Sequence, residues 1–177
     1  MSKKFLVVST SLNPASRSRI LAGAALSALN ELDESGDCEL LDLQSVELPF
    51  CDGDQAYGHP NVARVQQMIK DASGIIMSVP IYNFASGAAA KNLIELTGRT
   101  WTEKVVGFLC AAGGKSSYMS VMSLANSLML DFRSIIIPGF VYADKECFDG
   151  DKIVDRDVVA RVDRLAEQLV RVTNALH

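Results

Sequence analysis

Hydroxyl and guanidinium side chains cluster in residues 11–18, directly after a short apolar run. The segment reads Ser-Leu-Asn-Pro-Ala-Ser-Arg-Ser, and apolar residues at helical spacing begin near its end. Hydroxyl groups, backbone N–H groups and a cation at the start of a helix are the donors that a phosphate group requires. We therefore predict a phosphate site in which Ser11, Ser16 and Ser18 donate hydrogen bonds and Arg17 supplies positive charge. The alternative is that these serines only cap the helix and form turns.

The lack of glycine separates this segment from the loops that bind dinucleotides. A G-x-G-x-x-G loop needs glycines so that the pyrophosphate can approach the backbone, whereas Thr10, Leu12 and Ala15 stand where glycines would be useful. Hydroxyl side chains suit a terminal monophosphate, which has more acceptor oxygens to satisfy. The segment therefore favours a ligand that ends in a monophosphate.

Apolar runs alternate with amphipathic stretches along the chain, in the order βαβαβαβαβα. Right-handed crossovers turn such an alternation into a doubly wound, five-stranded parallel sheet with helices on both faces, which is a three-layer α/β fold. We predict one such domain over residues 1–177. Since ligands bind beyond the carboxyl ends of the strands, the loops after the first, third and fourth strands are expected to meet in one crevice.

The two other loops of this crevice differ in chemistry from the first. Residues 80–87 follow a continuous apolar run and include Tyr82 and Phe84, for which the alternative is ordinary core packing. Residues 111–116 read Ala-Ala-Gly-Gly-Lys-Ser, which superficially suggests a P-loop, but Leu109 stands where that pattern requires its first glycine. The interpretation as a P-loop nucleotide hydrolase therefore fails on spacing.

Taken in order, the three loops resemble those of the NADPH-dependent FMN reductase family. Residues 11–18 resemble the family's S-x-R-x-x-S-R-S phosphate loop. Residues 80–83, with Gly87 and Lys91 after them, resemble its segment that begins Pro-x-Tyr-Asn and continues to a glycine and a lysine. The glycine pair at 113–114 is similar to the pair that the family carries after its fourth strand.

The resemblance implies a flavodoxin-like fold, FMN as cofactor, NADPH or NADH as co-substrate, and a homodimer or homotetramer. A flavin ring requires an apolar face and a few polar groups at its edge. The implied cofactor-binding residues are Ser11, Asn13, Ser16, Arg17 and Ser18 in the phosphate loop, Pro80, Ile81, Tyr82, Asn83 and Phe84 along the isoalloxazine ring, and Gly113 and Gly114 at its pyrimidine edge.

The chain departs from the family pattern at two positions of the first loop. Thr10 replaces the usual glycine before the first serine, and Asn13 replaces the usual arginine two positions after that serine. Replacement of the arginine removes one planar, permanently charged phosphate partner. In the second segment Lys91 has an alternative role, because Glu95 stands four residues later, at the spacing of a helical ion pair.

These features together predict an FMN-dependent NAD(P)H oxidoreductase. It would take hydride from a nicotinamide and pass electrons to a small-molecule acceptor such as free flavin or a quinone. Because the flavin carries the chemistry, no side chain is predicted as an acid–base catalyst. The alternatives are an azo, quinone or metal-ion reductase with fixed FMN, and a non-enzymatic flavodoxin-like electron carrier or sensing module.

Charge and composition restrict the partners and the compartment. The formal net charge is −4, which disfavours binding to nucleic acid or to anionic membranes. The sequence contains no run of 18 apolar residues, so we expect no membrane-spanning helix. The N-terminal apolar run is too short for a secretory signal and the cysteines are widely spaced, so we expect a cytoplasmic protein. His59 and His177 are too few for a histidine-based site, and no metal is expected.

Residues 118–130 are unusually apolar for a helix that flanks a sheet and should have a solvated face. The small residues at 88–90 would permit a close approach of a second helix. We predict that these two helices form a subunit interface. The alternative is that neighbouring loops of the same chain cover them.

Overall fold

A parallel sheet covered by helices on both faces forms the centre of the computed structural model, which describes residues 3–32 and 36–176. The predicted domain therefore extends past the described residues at both ends, and His177 lies outside them. The strands and helices are β1 (Lys4–Ser9), α1 (Arg17–Asn30), β2 (Asp37–Asp42), α2 (Pro60–Asp71), β3 (Gly74–Tyr82), β4 (Ala85–Ser86), α3 (Ala88–Thr97), β5 (Val105–Ala111), α4 (Met122–Phe132), β6 (Ile135–Ile136), β7 (Val141–Ala143), β8 (Phe148–Asp149), β9 (Lys152–Ile153) and α5 (Arg156–Leu176).

The sheet runs in the order β2-β1-β3-β5-β6, and its four neighbouring pairs are all parallel. This is the flavodoxin-like strand order, in which the connections reverse direction at the edge of β1. The predicted doubly wound parallel sheet is therefore confirmed. The reversal places the loops after β1 and β3 side by side, at the edge where ligands bind in such folds.

The fifth strand is shorter than predicted and is divided in two. The apolar run Ile135-Ile136-Ile137-Pro138 predicts one strand, but β6 ends at residue 136, and β7 resumes the pairing with β5 at residue 141. Pro138 has no N–H to donate to a ladder, and Gly139 adopts a left-handed φ of 78°. The Pro-Gly pair therefore ends one strand and turns the chain into the next.

Two apolar layers hold the helices against the sheet. Alternate residues of β1 point to opposite faces, with Phe5 and Val7 packed among side chains of α1 and α5, and Leu6 and Val8 packed among those of α2, α3 and α4. All four side chains are at most 2% exposed. This arrangement confirms the three predicted layers and fixes the loops that leave the carboxyl edge.

From the sequence, Asn61 and Asp155 are predicted to cap the second and the last helix, and the structure tests both predictions. Asp155 caps α5 as predicted, since its Oδ1 accepts hydrogen bonds from the N–H groups of Asp157 at 2.8 Å and Val158 at 3.3 Å, and these bonds lower the pKa of the carboxyl group. The prediction that Asn61 caps α2 is wrong. The helix begins at Pro60, and Nδ1 of His59 accepts from the Asn61 N–H at 3.2 Å. Proline favours the first helical position, which moves the cap one residue earlier.

The apolar stretch at 118–130 is not one helix. A 3₁₀ segment covers 115–121, and α4 follows it with Leu124, Ala125 and Leu128 buried toward the sheet. Leu130 remains 83% exposed. Internal packing therefore accounts for part of the apolar surplus, and the subunit interface stays a prediction. Within 3–32 and 36–176, no helix has both the length and the apolarity needed to cross a membrane.

Candidate functional site

Three loops meet around one cavity at the carboxyl edge of the sheet, as predicted. Its volume is about 640 Å³, within the usual range for small-molecule sites. The predicted site residues that line it are Ser11, Asn13, Ser16, Arg17, Ser18, Pro80, Ile81, Tyr82, Asn83, Phe84 and Gly113. Further wall residues, which sequence analysis missed, are Ala15, Ala111, Ala112 and Ser117.

The first loop is held in shape by its own short side chains. Ser11 Oγ accepts a hydrogen bond from the Asn13 N–H at 3.3 Å, and Asn13 Oδ1 accepts from the Ala15 N–H at 3.0 Å. Ser16 then caps α1, with its Oγ accepting from the Arg19 N–H at 3.2 Å. The serines do cap and turn the chain, yet each hydroxyl still has a proton to donate.

The N-terminus of α1 faces the same cavity. The helix begins at Arg17, so the N–H groups of Arg17 and Ser18 have no carbonyl oxygen one turn earlier in the helix to which they could donate. They carry the positive end of the helix dipole, which attracts anions. Ser16 and Ser18 beside them are at most 6% exposed. This combination of buried hydroxyls and first-turn N–H groups is suited to a phosphate.

Thr10 has a structural role that explains its presence. It is 1% exposed, and its Oγ1 donates to the carbonyl oxygen of Ser78 at 3.0 Å. Ser78 is fully buried in β3, and its own Oγ donates to the carbonyl oxygen of Ser18 at 2.6 Å. These two bonds connect the loop after β1 to β3 and to the first turn of α1. The threonine therefore fixes the loop relative to the helix start.

Two nearby arginines have different surroundings. The exposed Arg17 lines the cavity, and its Cζ lies 6.0 Å from the centroid of the Phe148 ring, within reach of a cation–π contact. Arg19 instead forms an ion pair with Asp42, with 2.9 Å between Nε and Oδ2, and donates to Gln44 at 3.1 Å. Arg17 is therefore the guanidinium available to a ligand of this cavity.

The second loop is a β-hairpin rather than the polar loop we expected. β3 continues through Pro80 to Tyr82 and pairs with β4 through Ile81–Ser86 and Tyr82–Ala85. The two turn residues, Asn83 and Phe84, have left-handed φ values of 50° and 61°. Positive φ at both positions is the mark of a type I′ turn, which matches the twist of the strands.

The hairpin tip presents aromatic rings to the cavity instead of burying them. Tyr82 is 55% exposed and Phe84 is 70% exposed, which excludes the alternative of ordinary core packing. A bulky side chain in the left-handed region costs about 1–2 kcal/mol relative to an unstrained conformation. Because the Phe84 ring is mostly exposed, the burial of its apolar surface offsets little of that conformational cost. Backbone strain of this kind is often retained where a residue serves a ligand.

Gly87 is required by the packing of the hairpin. A Cβ atom there would lie 2.9 Å from Cγ of Pro80 and 3.5 Å from the ring of Tyr82. Its N–H donates to the Pro80 carbonyl oxygen at 2.8 Å. Farther along this segment, Nζ of Lys91 lies 2.9 Å from Oε1 of Glu95. This confirms the predicted alternative, in which Lys91 forms a helical ion pair.

The glycine pair of the third loop has no such packing requirement. A Cβ atom on Gly113 or Gly114 would meet no atom of the described residues within 4 Å. Neither residue has a positive φ, so neither backbone conformation demands glycine. Gly113 lines the cavity, where the missing side chain leaves its backbone open to a ligand. Gly114 does not line it, and its carbonyl oxygen accepts a hydrogen bond from the Tyr142 hydroxyl.

Lys115 is occupied by acidic partners. Its Nζ lies 2.9 Å from Oε2 of Glu146 and 3.9 Å from Oδ2 of Asp144. The hydrogen bond from Lys115 to Glu146, aided by the charges of both acids, raises the pKa of the lysine. Its positive charge is therefore compensated away from the cavity, which agrees with the rejection of a P-loop.

The amino-acid sequence of the chain matches a known protein family. The sequence model of the NADPH-dependent FMN reductases matches residues 3–147. The chain belongs to the NADPH-dependent FMN reductase family. Its predicted assignment to the NAD(P)H-dependent flavin reductases is thereby confirmed at the level of the family.

Individual relatives agree with the family. An NAD(P)H-dependent FAD/FMN reductase of Geobacillus thermodenitrificans is 30% identical over 139 residues, which cover 77% of this chain and 75% of the relative. An FMN reductase (NADPH) of Pseudomonas putida is 30% identical over 122 residues, or 68% of this chain and 60% of the relative. The crystal structure of an apo NADH:FMN oxidoreductase shares the fold with a TM-score of 0.82, at 14% identity and over 97% of this chain and 90% of the other.

Proposed function

We propose that this flavin reductase holds FMN in the 640 Å³ cavity, accepts hydride there from NADPH or NADH, and passes electrons to a small acceptor such as free flavin or a quinone. The convergence of three features on one cavity carries the proposal. They are the N-terminus of α1, the guanidinium of Arg17 and the glycine-lined wall at Gly113. A helix start with a cation suits the phosphate, and an open wall suits a planar ring.

The residues present fit each part of FMN. The first-turn N–H groups, the hydroxyls of Ser16 and Ser18 and the Arg17 guanidinium would hold the phosphate. Pro80 and Ile81 would support the ring, and the backbone at Gly113 would face its polar edge. A bound flavin supplies the hydride and electron chemistry, while the protein supplies orientation and electrostatics.

The exposed rings at the hairpin tip favour a planar acceptor. Tyr82 and Phe84 line the open cavity without being buried in the core. Aromatic faces of this kind stack on flat, conjugated molecules. A quinone or a second flavin has that shape, so we favour these acceptors over a metal ion. Steady-state oxidation of NADPH with each acceptor class tests this choice, and transfer to no acceptor would indicate an electron carrier.

The phosphate assignment is tested by a pair of arginine variants. Arg17→Ala should raise the Kd for FMN about tenfold, because a charge-assisted hydrogen bond is worth about 1.5–3 kcal/mol and Arg17 is exposed. Its effect on riboflavin, which lacks the phosphate, should be below twofold. Flavin fluorescence gives both affinities.

Arg19→Ala is the matched control, since it removes the same charge from a side chain paired with Asp42. It should leave both affinities nearly unchanged. Equal losses of FMN and riboflavin in Arg17→Ala would show that the cavity does not hold the phosphate at this point. Absence of FMN binding to the unaltered protein would overturn the proposed function itself.

We also propose a homodimer or homotetramer assembled through α3 and α4. A groove of about 900 Å³ runs between these helices, with the exposed Leu130 on its wall. Tyr118, Met119 and Met129 are exposed as well, and a set of exposed apolar side chains, rather than a single one, is typical of a surface that binds a partner. The molar mass in solution, measured by light scattering, tests the proposal, and a monomeric mass would contradict it.

A further inference from the structure

Two hydroxyl groups of the third loop and β7 form a hydrogen-bonded chain with a fixed direction. The Tyr142 hydroxyl donates to the carbonyl oxygen of Gly114, which can only accept. The Ser117 hydroxyl oxygen lies 2.8 Å from that of Tyr142, at hydrogen-bond distance. A hydroxyl has one proton, and Tyr142 uses its proton in the bond to Gly114. Ser117 must therefore donate its own proton to Tyr142.

The direction of this chain decides what Ser117 offers to a ligand of the cavity that it lines. Because its proton is given to Tyr142, its oxygen presents only lone pairs to the cavity. Ser16 in the first loop has the opposite character, since its oxygen accepts from the Arg19 N–H and its proton stays available. The first loop is therefore suited to acceptor groups such as a phosphate, whereas Ser117 is suited to a donor.

The ring of Tyr142 is held in place by the sheet and by a neighbouring aromatic side chain. Tyr142 pairs with Cys110 of β5. Its ring meets that of Tyr118 edge to face, with 5.7 Å between the centroids, and Tyr118 also packs against Phe140 at 4.8 Å. A group whose orientation is fixed in this way loses little further freedom when a ligand binds. Ser117 is thus a preorganised hydrogen-bond acceptor.

We propose that Ser117 accepts a hydrogen bond from the imide N–H of the flavin ring, and that Tyr142 is the positioning residue that fixes the direction of this bond. The inference rests on the proposed function, since it requires the pyrimidine edge of FMN to face the third loop. That edge carries one N–H, at ring nitrogen N3, between two carbonyl oxygens. The backbone of Gly113 can donate to a carbonyl oxygen, and Ser117 can accept from the N–H beside it.

A nicotinamide also carries an N–H donor, in its carboxamide group. For hydride transfer the nicotinamide must stack on the face of the flavin, so that the edge of the flavin would meet the wall at Gly113 and Ser117. A hydrogen bond from the wall to the imide would then discriminate between flavins that carry the N3 proton and flavins that lack it. This discrimination gives the proposed bond a readout that does not depend on turnover.

Titration of FMN and of 3-methyl-FMN, in which a methyl group replaces the N3 proton, tests the proposed bond. Flavin fluorescence gives both Kd values, and thermal melts check folding. The unaltered protein should prefer FMN. Ser117→Ala should raise the Kd for FMN about fivefold, the effect of one hydrogen bond, and should leave the Kd for 3-methyl-FMN within twofold. Ser116→Ala, at the exposed neighbouring position outside the cavity wall, is the matched control and should change neither affinity.

Tyr142→Phe tests the direction of the bond without altering the cavity wall. This variant keeps the ring that contacts Tyr118 but removes the hydroxyl, so the Ser117 proton is free to turn toward the ligand. The preference for FMN over 3-methyl-FMN should fall about twofold to threefold. A preference that is unchanged in Tyr142→Phe overturns the positioning role of Tyr142. A preference that is unchanged in Ser117→Ala overturns the inference as a whole.

Other outcomes also decide the matter. Equal weakening of both flavins in Ser117→Ala would show a purely structural role and overturn the inference. A higher KM for NADPH in that variant, with the flavin preference unaltered, would assign Ser117 to the carboxamide and overturn it as well. Failure of the unaltered protein to bind FMN would overturn the proposed function and this inference together. Equal binding of FMN and 3-methyl-FMN by the unaltered protein would overturn only the inference.

Discussion

Substitution of Phe84 by alanine and by glycine should reverse the usual order of stability between these two residues. Elsewhere in a chain, glycine is less stabilising than alanine by about 0.5–1 kcal/mol, because it loses more conformational freedom on folding. Phe84 has a left-handed φ of 61° at the second position of a type I′ turn, where glycine is preferred. Alanine keeps the strain of that conformation, and glycine removes it.

The expected difference follows from two opposing free energies. Relief of a left-handed conformation is worth about 1–2 kcal/mol, and the extra freedom of unfolded glycine offsets about 0.5–1 kcal/mol of this gain. Both variants lose the same ring, which is 70% exposed and contributes little burial. The free energy of unfolding of Phe84→Gly should therefore exceed that of Phe84→Ala by about 0.5–1 kcal/mol, which makes the glycine variant the more stable of the two. At this chain length the difference corresponds to about 1–4 °C in Tm.

Urea denaturation at equilibrium measures this difference, with the midpoint compared at constant m value. If the alanine variant is as stable as the glycine variant, or more so, the turn is not left-handed in solution and the argument for strain fails. The same two proteins also test the purpose of the strain. Both should bind FMN with a Kd raised about threefold to tenfold, since an aromatic contact contributes about 0.5–1.5 kcal/mol. Unchanged binding in both would place the ring outside the flavin site.

Two further predictions concern the glycines and a buried thiol. Gly113→Ala should weaken FMN binding, as measured by calorimetric titration, with no loss of stability. Gly87→Ala should instead lower the free energy of unfolding by about 1–3 kcal/mol, because its Cβ would lie 2.9 Å from Pro80. If both variants were destabilised to a similar extent, the two glycines would not have these different roles. Burial raises the pKa of the Cys110 thiol from 9.0 to about 12. The unfolded chain therefore loses this proton first, and the free energy of unfolding should fall as the pH rises from about 9 to about 12. The Cys110→Ala variant should lose this decrease of the free energy of unfolding with pH. If the variant shows the same pH dependence, the Cys110 thiol is not its cause.

The sheet and the meeting of the loops could be predicted because they depend on long, regular patterns. Apolar runs alternating with amphipathic stretches specify a doubly wound sheet almost without regard to particular side chains. Once the first, third and fourth predicted strands are parallel neighbours, their following loops meet at one edge. The cavity wall therefore contained every predicted site residue except Gly114, whose position depends on the local course of the third loop.

The hairpin could not be predicted from the sequence because its turn lacks the usual signal. Asn-Gly identifies a type I′ turn, whereas Asn83-Phe84 places a bulky ring where the backbone disfavours one. Ser117 in the cavity wall also gives no signal, since it lies in an irregular 3₁₀ segment. Two other differences did have signals that were overlooked. Pro60 marked the start of α2, and the Pro-Gly pair at 138–139 marked the end of β6.

The two departures from the family pattern in the first loop have local structural explanations. Thr10 is bonded to the Ser78 carbonyl, and the Asn13 side chain accepts from the Ala15 N–H, so both residues shape the loop. With asparagine in place of the family's arginine, Arg17 is the one cationic side chain among the described residues that line the 640 Å³ cavity. Under the proposed function, the phosphate of FMN would then be held chiefly by the N–H groups at the start of α1, the buried hydroxyls and this single guanidinium.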